Sequence, residues 1–135
     1  MIVYLSLEQV LLIHKKAMDH YGGAQGIRDK NLLEFAVMRP QMSVFGEDAY
    51  PTLFLKAAVL LHAIVQNHPF LDGNKRTGFG AMHIMLLRNG RDLSSSSAQE
   101  VRMCLDVATG NMSVEKVAQW IEMNSKEFRG SKHNP

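Results

Sequence analysis

One cysteine, four prolines and one tryptophan stand in a chain of 135 residues, and no long run of like charge interrupts it. The lone thiol, Cys104, has no partner within the chain, so a disulfide-stapled scaffold is excluded. Long apolar runs are also missing. The most apolar window, residues 53–65, is broken by Lys56 and His62 and falls short of the ~20 residues a bilayer requires, so no membrane partner is expected. The start, MIVYLSLEQV, lacks a basic segment followed by a long apolar core, and a cytoplasmic protein is the simplest expectation. A net charge of +2 with scattered cations offers no basic face, so no nucleic-acid partner is expected either. What is present is 46% hydrophobic and 21% charged residues, the composition of a packed globular protein. That length supports one core, expected over residues 1–124, followed by a polar tail at 125–135 rich in Lys, Ser, Asn and Gly.

Helical punctuation divides the chain. Ser6 with Gln9 reads as a capping box ahead of Leu7, Val10, Leu11, His14, Met18 and Tyr21 at helical spacing, and Gly22-Gly23 ends that run. Asp29 caps a shorter helix that Pro40 stops near Arg39. Between Pro40 and Pro51, with Gly46 inside, a loop or small hairpin fits better than a helix, and it reads as a flap. TLFLKAAVLLHAIVQN, residues 52–67, is apolar on nearly all sides and predicts a helix at the centre of the fold. A second apolar helix is expected from about Lys75 to Arg88. Ser97 with Glu100 reads as the capping box of a fifth helix ending at Gly110, and Ser113 starts a sixth. The expectation is an all-α fold of about six helices around a central hairpin. His14, His62, Met82, Met85, Trp120 and Cys104 fall on apolar faces and read as core or supporting residues.

The segment HPFLDGNKRTG, residues 68–78, joins the two central helices. Gly73-Asn74 permits a tight turn that points N–H groups outward, and the following helix adds the positive end of its dipole; together these suit an anion such as phosphate. Lys75 and Arg76 in that first turn oppose the dipole and are unfavourable there unless an anion is bound. Asp72 can take a hard cation such as Mg²⁺ that bridges phosphate oxygens. His68 supplies imidazole, the side chain that ordinarily titrates near neutrality and can take a proton from a hydroxyl. Singly, the same residues also fit a helix-capping histidine and an ordinary Asp-Gly-Asn turn. Their joint presence beside paired cations favours a phosphate-handling site. His62, His68 and Asp72 lack the HxH or HExxH spacing of a metal hydrolase.

HPFLDGNKRTG resembles the signature loop of the Fic/Doc (Fido) superfamily, and Lys75 ahead of Arg76 gives it the death-on-curing (Doc) form. Phe79 stands where the Fic pattern carries a second arginine. YGGAQGIRD at residues 21–29, LLEFAVMRPQ at 32–41 and LLRNG at 86–90 are similar to further Doc-type segments in the same order, so the resemblance spans roughly residues 4–124. It implies the Fido fold, with His68 as general base, Asp72 as the Mg²⁺ ligand, Gly73 and Asn74 with the loop backbone as an anion cradle, and Lys75 and Arg76 on nucleotide phosphates. Phe70 would anchor the loop in the core. Pro40, Gln41, Met42, Ser43, Val44, Phe45 and Gly46 would form a flap that docks the target polypeptide by strand-like pairing. The implied activity is that of a toxin in a toxin–antitoxin pair: transfer of the γ-phosphate of ATP to a threonine of elongation factor Tu, halting translation, with a cognate antitoxin protein blocking the site. AMP transfer to a protein hydroxyl and a non-catalytic nucleotide- or partner-binding module are the rival readings. Ser96 to Glu100 comes near the inhibitory motif [ST]xxxE[GN] of some Fic proteins, but Val101 follows, and the segment reads as a helix start.

Overall fold

The apolar run at residues 52–67 sets the architecture, because a helix without a polar face must be covered on every side. The computed structural model describes residues 1–128, and within them Leu53–Asn67 (α3) buries Lys56, Ala57, Ala58, Val59, Leu60, Leu61, Ala63, Ile64 and Val65. Thr52 caps α3 by accepting from the Leu55 N–H. Around it pack Leu7–Tyr21 (α1), Lys30–Met38 (α2), Asn74–Arg88 (α4), Ser97–Ala108 (α5) and Val114–Met123 (α6), with α4 and α6 its most extensive neighbours. The fold is the expected all-helical one with the α3–α4 hairpin at its centre. Gly78 lets those two helices approach closely: a Cβ there would lie 2.7 Å from Val65 Cγ2 and 3.2 Å from the Leu61 carbonyl.

Local chemistry ends the elements where the sequence suggests. Ser6 and Gln9 form a reciprocal capping box for α1, Asp29 accepts from Leu32 N–H ahead of α2, and Ser113 accepts from Lys116 N–H ahead of α6. Pro40 turns the chain into a short 3₁₀ segment, Arg39–Gln41. The flap is a two-stranded hairpin, Ser43–Val44 (β1) against Glu47–Asp48 (β2), turned by Phe45 and Gly46 at φ 52° and 80°. Positive φ at both turn residues is the twist that two-residue hairpins require.

Two expectations are corrected. The capping box of α5 is Ser96 with Gln99, one residue earlier than Ser97 with Glu100. That register turns Met103, Cys104 and Val107 inward, and four consecutive serines offered equivalent caps. The expected polar tail at 125–135 begins in a paired strand. Ser125–Glu127 (β4) pairs antiparallel with Arg91–Leu93 (β3), and the Arg91 guanidinium donates to the Ser125 carbonyl at 2.9 Å. Residues 129–135, the rest of that expected tail, lie outside the described residues. Among the described residues, no helix is long and apolar enough to cross a membrane.

Candidate active site

The end of α3 aims the histidine. An α-helix leaves its last carbonyls without partners, and here His68 itself, the C-cap in the left-handed conformation at φ 51° and ψ 59°, turns its ring back to collect one of them. Nδ1 lies 3.0 Å from the Gln66 carbonyl. A carbonyl can only accept, so Nδ1 carries a hydrogen, and in the neutral ring Nε2 keeps its lone pair on an exposed side chain. Arg28 gathers the next two carbonyls, with Nη2 donating to Asn67 at 2.7 Å and Nε to His68 at 2.6 Å. The backbone N–H groups of Arg28 and Asp29 both donate to the Pro69 carbonyl, and Leu71 N–H donates to Gly26. Residues 26–29 thus lie along the loop as a splint.

The loop is locked from below. Phe70 is 1% exposed and stacks on His14 at 3.8 Å with the planes 6° apart, while His14 Nε2 donates to the Asp72 carbonyl at 2.9 Å. Asn74 is buried, its Oδ1 accepting from Phe70 N–H and its Nδ2 donating to the Phe70 carbonyl, both at 3.0 Å. The side chain expected in the anion cradle is therefore committed to the loop's own backbone, and only the main chain of Asn74 is available to a ligand. Gly73 begins α4 in the left-handed region at φ 78° with no side-chain cap, against Met18, leaving the first N–H groups of the helix open.

Asp72 is exposed at the lip of this turn, Oδ1 accepting from Gly73 N–H at 2.8 Å and Oδ2 lying 3.4 Å from Ala24 N. Gly23 makes room for it, since a Cβ there would come within 2.6 Å of Oδ2. The Asp72 carboxylate beside an open helix N-terminus fits Mg²⁺, which prefers one or two carboxylates plus substrate phosphates. Lys75 and Arg76 follow, both exposed, with the Arg76 guanidinium 4.0 Å over the Tyr21 ring. His68, Asp72, Gly73, Asn74, Lys75 and Arg76 line one cleft of about 690 Å³, a size usual for small-molecule sites. Phe79 and the α5 residues Glu100, Val101 and Leu105 complete the walls.

Other singled-out residues serve the core. His62 Nε2 donates to the Met112 carbonyl at 3.1 Å, and burial holds its pKa below the ordinary value. Burial pushes the Cys104 thiol up to about 12, which keeps it unreactive. Met82 and Met85 are fully buried, and Trp120 packs against the core. Sequence reasoning left Arg28 without a role. Its signal was a cation ahead of the helix-capping Asp29, inside the quoted segment YGGAQGIRD. Arg28→Gln is expected to free the end of α3, raising hydrogen exchange at the amides of the loop about tenfold, and Arg28→Lys should not restore it because an ammonium lacks the fork that grips two carbonyls. Hydrogen-exchange rates of the two variants beside the parent check both points.

A splinted histidine, a carboxylate at the turn and an open helix start with two cations, held between two central helices, define a Fido-type site. The chain belongs to the Fic/DOC family, whose model matches residues 4–86, and it is of the Doc type. Among its relatives is Toxin Doc of Mycolicibacterium smegmatis, 46% identical over 92 residues that make up 68% of each chain. Protein kinase doc of Escherichia phage P1 is 32% identical over 115 residues, 85% of this chain and 90% of that protein.

Proposed function

We propose that this protein is a cytoplasmic toxin of a toxin–antitoxin pair and a Doc-type protein kinase that phosphorylates a threonine of elongation factor Tu. The observation that carries the chemistry is the fixed tautomer of His68, with Nε2 free at one end of a cleft whose other end is the uncapped start of α4. The names of the two relatives, a toxin and a protein kinase, support the same reading. His68 Nε2 takes the proton of the target hydroxyl as its oxygen bonds the γ-phosphorus of ATP, and the bond from that phosphorus to the β–γ bridging oxygen breaks to release ADP. Lys75, Arg76 and the first N–H groups of α4 hold the phosphates in line. Mg²⁺, held by Asp72, would neutralise charge on the phosphate oxygens. The flap residues 40–46 dock the target polypeptide as an added strand on β1, whose two residues are exposed. A cognate antitoxin protein would silence the enzyme by covering the cleft.

The test is paired labelling of purified elongation factor Tu with ATP and Mg²⁺, the label on either the α or the γ phosphate. Label from the γ position alone is expected, and chelation of Mg²⁺ should abolish it. Label from the α position would replace the kinase with AMP transfer, a result that the apolar Phe79 on the cleft wall argues against. No label from either would favour the binding module.

A further inference from the structure

Lys56 is the anomaly of α3. It is 1% exposed in a helix otherwise buried through apolar residues, and it plays no part in the cleft. A buried ammonium is costly unless it is paired and hydrogen-bonded. Its partners are specific: Nζ lies 3.1 Å from the Asp48 carboxylate, 3.4 Å from the Pro40 carbonyl and 5.7 Å from the centre of the Tyr4 ring. Pro40 sits where the chain enters the flap and Asp48 on the strand that leaves it. One cation therefore ties both legs of the hairpin to the central helix. Ala49 N–H donating to Met42 O at 2.8 Å closes the hairpin just above this pin, with Ser43 paired to Asp48.

The same helix carries His68 at its far end, twelve residues on, which is ~18 Å along the axis at 1.5 Å per residue. From this arrangement we propose that Lys56 is a positioning residue for the protein substrate. By fixing the flap to α3, it sets the distance and register between the strand edge at Ser43–Val44 and the base, so that a docked polypeptide presents its hydroxyl to His68. Without the pin the hairpin keeps its turn but swings on its two legs, and productive docking is lost while nucleotide binding is untouched. This rests on the kinase reading above for its kinetic consequence, though not for the pin itself.

The experiment uses the full chain with Lys56→Met, which keeps an unbranched side chain one heavy atom shorter and removes the charge. Asp48→Asn, a half-exposed position, is the second variant should the first fail to fold. Hydrogen exchange at Ala49 N–H and the paired strand amides is expected to rise ~10-fold or more in either variant, with α3 and α4 unchanged. In steady-state kinetics, KM for the protein target should rise ~10-fold at a nucleotide affinity within twofold of the parent. Unchanged exchange in a folded variant would overturn the pin. Raised exchange with an unchanged target KM would overturn the positioning role, as would an equal loss of nucleotide binding. If the parent protein phosphorylates nothing, the kinase reading falls and exchange alone judges the pin.

Discussion

Replacing His68 by alanine is expected to slow phosphoryl transfer by ~10²–10⁴-fold or more, the range a positioned general base contributes. The loss should fall on kcat, with KM for nucleotide little changed, because the proposed reading gives the phosphates to α4 and its cations rather than to the imidazole. The fold should survive. The ring is exposed and, among the described residues, makes a single hydrogen bond, to the Gln66 carbonyl, so its removal costs about 0.5–1.5 kcal/mol. The left-handed backbone at φ 51° suits alanine no better than histidine and is held in place by Arg28 and by the Pro69 bonds to residues 28 and 29. A thermal melt by circular dichroism run beside γ-phosphate labelling separates the two effects. A variant that still transfers phosphate at the parent rate would remove His68 from the role of base and leave Nε2 as a binding contact.

Much of this fold was legible because its decisive signals are local. A hydroxyl or carboxylate ahead of an apolar stripe located the starts of α1, α2 and α6, an all-round apolar run located α3, and two prolines with a glycine between them located the flap. Where local signals were degenerate, the reading slipped. Residues 94–97 are four serines, Gln99 and Glu100 both suit a capping box, and only burial of Met103, Cys104 and Val107 selects the register. Pairing of β3 with β4 joins residues more than thirty apart through three positions on each side, of which Leu93 alone is apolar, with no alternation to betray a strand.

The site divides the same way. The residue types in the loop announced a phosphate chemistry, yet which of them touch a ligand depends on where the fold directs each side chain. His14 and Phe70 are an apolar stripe and an apolar anchor in sequence, and in space a stacked pair beneath the turn. Lys56 appeared only as a charge that breaks an apolar window. A cation inside a run that must be buried is itself a signal, since burial demands a partner from elsewhere in the chain; the sequence could not say that Asp48 and Pro40 supply it. Arg28 likewise acts through carbonyls at residues 67 and 68 that only the folded chain brings near.

Asn74 gives the second large effect, and it separates support of the loop from contact with the ligand. Asn74→Leu removes both bonds to Phe70, leaving a buried N–H and a buried carbonyl unpaired, each at a cost of about 1–3 kcal/mol. A drop of ~2–6 kcal/mol in urea denaturation is expected, together with loss of transfer, because the turn that presents Asp72 and the α4 start would no longer be closed. Asn74→Asp keeps an acceptor for Phe70 N–H but turns the second contact into two oxygens facing each other, so its stability should fall between the parent and the leucine variant. If the Asn74 side chain instead held phosphate directly, Asn74→Asp would repel the nucleotide at undiminished stability. Denaturation and nucleotide titration of the two variants therefore distinguish the roles: stability falling in the order parent, aspartate, leucine identifies a loop clasp, whereas lost nucleotide affinity at parent stability in the aspartate variant would identify a phosphate ligand.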